Sequence, residues 1–301
     1  MSKNILITGA TGLVGKALIP NLLNQGHRIS VLSRKKNDIA GVNVYSWDVR
    51  KQIIDTAAFE GVDTIIHLAG EGIADKKWTD KRKAQIINSR VKSAELLYKT
   101  IRECRAAVTT FISASAVGYY GDRRDEFLWE DSDPGKGFLS NCCLLWEAAA
   151  DEGMAMGIRV VKVRIGIILS KENGALVAMA KPIKFFVGAP LGSGKQWMPW
   201  IHIDDIVGIF TKAVEDEAMV GAYNGAAPYP SSNKLVVKRI AWHLGRPVWP
   251  INVPKFLLKT ILGERCILVL MSTNTAADKI VKAGYVFKFT DVDAALKEIY
   301  G

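Results

Sequence analysis

The sequence predicts an α/β protein, a doubly wound parallel sheet with a smaller, sequence-discontinuous C-terminal lobe. Two patterns carry that expectation. Over residues 1–170, short β-rich runs alternate with longer helical stretches, as in βαβ units whose helices cover both faces of a parallel sheet. Beyond Arg164, Gly188, Pro190, Gly192, Gly194, Pro199 and Pro228 break the chain into short elements, which suits a second lobe. Strands are expected at Asn4 to Thr8, Arg28 to Leu32, Asn43 to Trp47, Thr64 to Leu68, Thr109 to Ser113 and Arg159 to Arg164. Gly26 closes the first helix, since a residue without Cβ adopts the left-handed conformation that turns the chain into the next strand. A helix over Asp204 to Asp216 is expected to rejoin the sheet. The sheet domain then comprises 1–170 with 200–225, and the smaller, substrate-side lobe comprises 171–199 and 226–301.

A chain of 301 residues that is 49% hydrophobic can bury a substantial core, so disorder is excluded. Its apolar runs are only strand length, and the longest C-terminal one, Phe256 to Met271, is interrupted by Lys259, Glu264 and Arg265; no segment is expected to span a membrane. A strand begins within three residues of Met1, leaving no room for a signal core, so a cytoplasmic location is expected. The net charge of +10 raises the question of a polyanionic partner, with Lys76, Lys77, Lys81, Arg82 and Lys83 as the densest cluster. Those residues flank an amphipathic helix whose apolar face is Ile86, Ile87, Val91, Leu96 and Leu97, and no aromatic platform accompanies them, so they read as a solvated surface. Neither a nucleic acid nor a membrane is an expected partner. Cys104, Cys142, Cys143 and Cys266 have neither metal-ligand nor disulfide-framework spacing, and the four histidines form no paired motif; free thiols and no metal are expected.

Directly after the first strand comes Thr8-Gly9-Ala10-Thr11-Gly12-Leu13-Val14-Gly15, then an apolar helix containing Ala17, Leu18, Ile19, Leu22 and Leu23. A glycine turn here lets backbone approach a pyrophosphate, while the helix start offers free N–H groups and a positive dipole end; Gly15 permits close helix-to-strand packing. Strand, turn, helix and next strand in this order mark a Rossmann-type dinucleotide site. At the end of the second strand, where an acidic residue would accept a hydrogen bond from a free ribose 2'-hydroxyl, the sequence instead reads Ser33-Arg34-Lys35-Lys36. The forked guanidinium of Arg34 suits a 2'-phosphate, so NADP(H) is the expected cofactor. Gly192-Ser193-Gly194-Lys195 looks like a P-loop but fails its spacing: residue 189 is alanine, and Gln196 follows the lysine.

Thr8 to Gly15, Arg34 and Leu68-Ala69-Gly70, together with Ser113 to Gly121, Trp146-Glu147 and Trp200 to Asp205, resemble the extended short-chain dehydrogenase/reductases. Within them the chain is similar to the atypical epimerase-family subgroup described as NAD-dependent epimerase/dehydratase-like or cell-division-inhibitor-like. The resemblance spans nearly the whole chain. It implies cofactor contacts for Gly9, Thr11, Gly12, Leu13, Val14, Gly15, Arg34, Leu68, Ala69 and Gly70, with Ala114 and Ser115 near the nicotinamide. It also implies a catalytic Ser or Thr and a Tyr whose phenol is acidified by a Lys four residues on, one turn along the same helix face.

That pair is missing. The helix expected to carry it reads Phe138-Leu139-Ser140-Asn141-Cys142-Cys143-Leu144-Leu145-Trp146-Glu147, and alignment on Glu147 puts Leu139 and Cys143 at the two positions. Substitutes are Ser115, just past its strand, to hydrogen-bond a substrate oxygen, or to cap a turn; Tyr119 or Tyr120, with Arg123 or Arg124 as cationic neighbours, or as loop anchors; and Glu71 as acid or base if burial raises its pKa. Trp197-Met198-Pro199-Trp200-Ile201-His202 could wall a substrate cleft or pack the lobe. Two functions follow: an NADP(H)-dependent oxidoreductase or epimerase-like enzyme on a small polar substrate, or a non-catalytic NADP(H)-binding regulator or sensor.

Overall fold

The run Ile5-Leu6-Ile7 forms β1 (Asn4–Thr8), whose alternation sends Ile5 and Ile7 into one buried cluster and Leu6 into another. The structure, a computed structural model describing residues 2–35 and 39–301, continues through α1 (Leu13–Asn24), β2 (Arg28–Ser33), β3 (Asn43–Asp48) and β4 (Ile53–Ile54). Then come β5 (Thr64–His67), α2 (Asp80–Cys104), β6 (Thr110–Ala116), β7 (Phe127–Leu128), α3 (Phe138–Asp151) and β8 (Arg159–Ile165). The second half adds β9 (Ile167–Leu169), α4 (Ala175–Lys184), β10 (Trp197–Met198), β11 (Trp200–His202), α5 (Ile203–Glu215) and β12 (Gly221–Gly225). It ends with β13 (Ser231–Ser232), α6 (Asn233–His243), α7 (Lys255–Leu262), α8 (Ile267–Leu270), β14 (Asn274–Thr275), α9 (Asp278–Lys282) and α10 (Val292–Tyr300).

Eight strands form the main sheet in the order β12-β8-β6-β5-β1-β2-β3-β4, parallel throughout except for β4 on the β3 edge. The chain travels outward from β1 to β4 and then crosses back to β5 on the other side of β1, so the carboxyl ends of β1 and β5 border the crevice where this topology binds ligands. Residues of α1 and α5 pack on the Ile5 and Ile7 side, those of α2 and α3 on the Leu6 side. Burying each of the fully enclosed side chains Leu6, Leu18, Ile65 and Phe111 contributes about 1.5–3 kcal/mol. A third cluster, with Leu176 and Ile183 of α4, Val236 and Ile240 of α6 and Leu296 of α10, forms the core of the smaller lobe.

The expected strands all appear, with one consequential shift. β6 begins at Thr110 and runs on to Ala116, so Ser115 lies inside a central strand and not past its end. The alternating small residues Ser113 to Ala116 carry no apolar pattern; the strand continues because β8 pairs with it as far as Ile165. Gly26 takes φ +82° after α1, as a helix closure requires. His202 caps α5, its Nδ1 accepting the Asp204 N–H at 3.2 Å.

Candidate functional site

The turn from β1 into α1 is shaped by three glycines. Gly9 has φ +74°, and a Cβ there would stand 2.7 Å from the Leu68 carbonyl, so only glycine lets the turn lie flat against the end of β5. A Cβ on Gly15 would meet the Gly9 oxygen at 2.6 Å, and one on Gly12 would meet it at 3.2 Å. The α1 N-terminus has no side-chain cap and no acidic residue in its first turn. Thr11 and Gly12 are exposed, Leu13 is half-buried and Val14 points inward. Uncapped N–H groups beside a turn from which side chains are excluded fit an anionic diphosphate.

A buried polar chain ties this turn to the loop after β5. The Ala69 N–H donates to Thr8 Oγ1 at 3.2 Å, Thr8 Oγ1 lies 2.8 Å from His67 Nδ1, and His67 Nε2 lies 3.0 Å from Ser93 Oγ. The Ser93 hydroxyl donates to the backbone of Ser89 or Arg90, so it accepts from His67 Nε2–H and leaves Nδ1 to accept the Thr8 hydroxyl. Burial, with a smaller push from the Arg90 charge, depresses the His67 pKa to about 4, which keeps this neutral tautomer in place. Leu68 and Ala69 follow half-buried, and Gly70 is exposed. A Cβ on Gly70 would stand 2.9 Å from the Arg90 guanidinium carbon, so a larger residue there would have to displace that side chain. At the end of β2, Ser33 is half-buried while Arg34 and Lys35 are exposed; Lys36 lies outside the described residues.

The catalytic candidates do not converge as one group. Ser115 is buried, and its Oγ donates to Glu147 Oε1 at 2.6 Å, beside the buried Ala114. Arg164, from β8, grips both oxygens of Glu147, at 2.8 and 2.9 Å, and donates to the Tyr120 hydroxyl at 2.9 Å. Tyr120 in turn donates to Asn224 Oδ1 at 2.7 Å. Burial pushes the Tyr120 phenol up to about 12 despite Arg164, so this residue anchors the loop. Tyr119 is half-buried, its ring centroid 3.5 Å from the Arg164 guanidinium carbon. The cation beside the two phenols is thus Arg164; Arg123, expected in that place, is turned to Glu126 and the Asp133 carbonyl.

Glu71 departs from the condition set for it. Burial raises its pKa, but hydrogen bonds from Arg82 and Arg50 outweigh that and hold the carboxyl below its usual range. Arg82, expected on a solvated helix surface, is buried against Glu71 and the Gly72 carbonyl. Leu139 and Cys143 sit beneath the turn at Gly118, whose added Cβ would lie 3.5 Å from Leu139 Cβ and 3.7 Å from Cys143 Sγ. Burial pushes the Cys143 thiol up to about 12, which removes it as a thiolate. Leu139 joins an apolar cluster with Trp78, Ile86, Phe138, Ile267 and Leu268.

Sequence reasoning passed over Arg164, Arg90 and Asn224. Arg164 was detectable: a cation near the end of the apolar strand Arg159-Val-Val-Lys-Val-Arg-Ile needs a buried partner. Arg90, whose guanidinium lies 4.8 Å from the Trp146 ring, and Asn224, a loop anchor, gave no such signal.

A doubly wound sheet with this glycine cradle and a discontinuous second lobe defines an extended short-chain dehydrogenase/reductase type of protein. Residues 5–224 match the NAD dependent epimerase/dehydratase family, and the chain belongs to it. Residues 253–299 match a domain of unknown function, DUF1731. The chain is 35% identical to the epimerase family protein YfhF of Bacillus subtilis over 98% of its length and 97% of the relative's. The crystal structure of the human epimerase family protein SDR39U1 with NADPH superposes with a TM-score of 0.87 at 31% identity, covering 99% of both chains. A nucleoside-diphosphate sugar epimerase of Corynebacterium glutamicum superposes at 0.81 with 33% identity, over all of this chain and 59% of that one. Among the described residues, no helix is long and apolar enough to cross a membrane.

Proposed function

We propose that the protein binds NADPH and acts as an oxidoreductase or epimerase-like enzyme on a small polar substrate, without the Tyr-x-x-x-Lys pair. The cradle of Gly9, Gly12 and Gly15 at an uncapped helix start is the observation that carries this reading. Gly9, Thr11, Gly12, Leu13, Val14 and Gly15 would hold the diphosphate. Ser33, Arg34 and Lys35 would hold the 2'-phosphate, and Leu68, Ala69, Gly70 and Ala114 would border the rest. The NADPH in the human SDR39U1 structure supports the phosphorylated form.

When bound, the dinucleotide supplies or accepts a hydride. Ser115, its own hydrogen committed to Glu147, retains lone pairs that can accept a hydrogen bond from a substrate hydroxyl. Glu147 fixes that oxygen and Arg164 fixes Glu147, so both are positioning residues. Tyr119, braced on Arg164 and partly open to solvent, is the remaining phenol for proton transfer.

Titration with NADPH and NADH tests the cofactor reading. Arg34→Glu is expected to weaken NADPH at least about tenfold while leaving NADH nearly unchanged; equal affinity of the unaltered protein for both dinucleotides overturns it. A non-catalytic regulator or sensor is the second reading, favoured by Leu139 and Cys143 at the two positions where the resemblance implies a phenol and an ammonium. NADPH oxidation across carbonyl compounds and sugar nucleotides separates the two, since tight binding without turnover supports the second.

A further inference from the structure

Two stretches of the smaller lobe carry charge of one sign only. No Asp or Glu occurs between Glu172 and Asp204, or between Glu217 and Glu264. These stretches carry Lys181, Lys184 and Lys195, then Lys234, Lys238, Arg239, Arg246, Lys255 and Lys259. Of these, Arg239 pairs with a carboxylate, Asp293, at 3.6 Å.

The same stretches hold large apolar side chains that folding leaves in water. Phe185 is 70% exposed, Trp242 and Ile251 are each 74% exposed, and Phe256 is 72% exposed. Phe186, Val187, Trp249 and Ile261 are exposed as well. They are neighbours across the lobe. Trp249 Nε1 donates to the Phe186 carbonyl at 2.7 Å, and the Arg246 guanidinium lies 4.6 Å from the Phe186 ring. The Trp249 N–H donates to Gly188, and Leu191 bridges to Val253, directly before α7 begins. On α7 only Leu258 is buried; Phe256, Leu257 and Ile261 are exposed on an outward stripe flanked by Lys255 and Lys259.

We propose that this face of the smaller lobe docks on an anionic lipid surface, with the α7 stripe and the Phe185 to Val187 turn entering the headgroup layer and the lysines meeting lipid charge. Aromatic and aliphatic side chains surrounded by cations, on a helix with an uncovered apolar stripe, are the composition of an interfacial contact. Charge selects this occupant over a second copy, because two such faces would oppose cation to cation. Much of the exposed apolar surface here is aliphatic, Val187, Ile251, Leu257 and Ile261, which a lipid layer takes up and a stacked base does not, and this selects lipid over nucleic acid. The chain lies on such a surface and does not span it.

Co-sedimentation with vesicles of phosphatidylcholine alone, or with about a third phosphatidylserine, tests the proposal at low and high salt. Binding is expected only to the anionic vesicles and is expected to fall as salt rises. Lys255→Glu with Lys259→Glu should weaken it at least about tenfold. Phe256→Ser with Ile261→Ser should weaken it comparably and reduce the blue shift of tryptophan emission seen on binding. All four positions are exposed, so unchanged circular dichroism and NADPH affinity show that the fold is intact. The proposal fails if anionic vesicles bind no protein, if neither double variant matters, if Phe256→Ser with Ile261→Ser instead dissolves a dimer, or if only single-stranded nucleic acid binds there.

Discussion

The two ends of the central crevice are built on different principles. At the cradle, backbone does the shaping: Gly9, Gly12 and Gly15 exclude side chains, and His67 ties β1, β5 and α2 together through neutral hydrogen bonds. At the other end, under Ser115, lies a buried ion pair between Glu147 and Arg164, with Leu139 and Cys143 packed beneath the turn at Gly118. The difference teaches that one crevice can be shaped by bare backbone at one end and by a desolvated ion pair at the other. One end is closed by excluded side chains and neutral hydrogen bonds, the other by charges taken out of water.

The comparison breaks first at the ion pair. Glu147→Leu leaves a buried guanidinium without its carboxylate and should cost about 3–5 kcal/mol in denaturant unfolding, whereas pairing it with Arg164→Met should recover much of that loss. An additive double variant contradicts the coupling. At the cradle end, His67 supplies a pH dependence. Its folded pKa of about 4 lies below the ordinary 6.5, so between those values the unfolded chain takes up a proton that the folded chain refuses. Stability should therefore be full above pH 6.5 and fall by up to about 3 kcal/mol as pH drops toward 4. His67→Gln should flatten that slope, and an unchanged acid limb would assign it to other groups.

Gly9→Ala forces a Cβ against the Leu68 carbonyl at a left-handed φ, and a loss of about 2 kcal/mol is expected with dinucleotide affinity down at least tenfold. Ser115→Ala should cost least, about 1 kcal/mol, because Glu147 keeps both bonds to Arg164. If Ser115 contacts substrate, turnover falls while NADPH affinity holds; an unchanged rate removes it from the chemistry.

Much of this was legible beforehand, and unevenly so. The glycine turn and the parallel strands were readable because each rests on local chemistry: φ, or two-sided burial. Helix periodicity assigns Arg82 to the surface because it cannot report that the loop at Glu71 folds back over it. Ser115 was placed beyond its strand because Ser and Ala carry no alternation, while β8 extends the ladder there.

The sequence by itself determined the doubly wound sheet, the cradle and the loss of the Tyr-Lys pair, since backbone propensity, glycine freedom and residue identity are properties of short segments. Only the tertiary structure decided that Arg164 meets Glu147 and Tyr120, that Glu71 is held ionised by two arginines, and that the lobe's apolar side chains face water. Those outcomes depend on burial and on partners distant in the chain. Coulombic and desolvation energies vary with surroundings that no window of sequence contains.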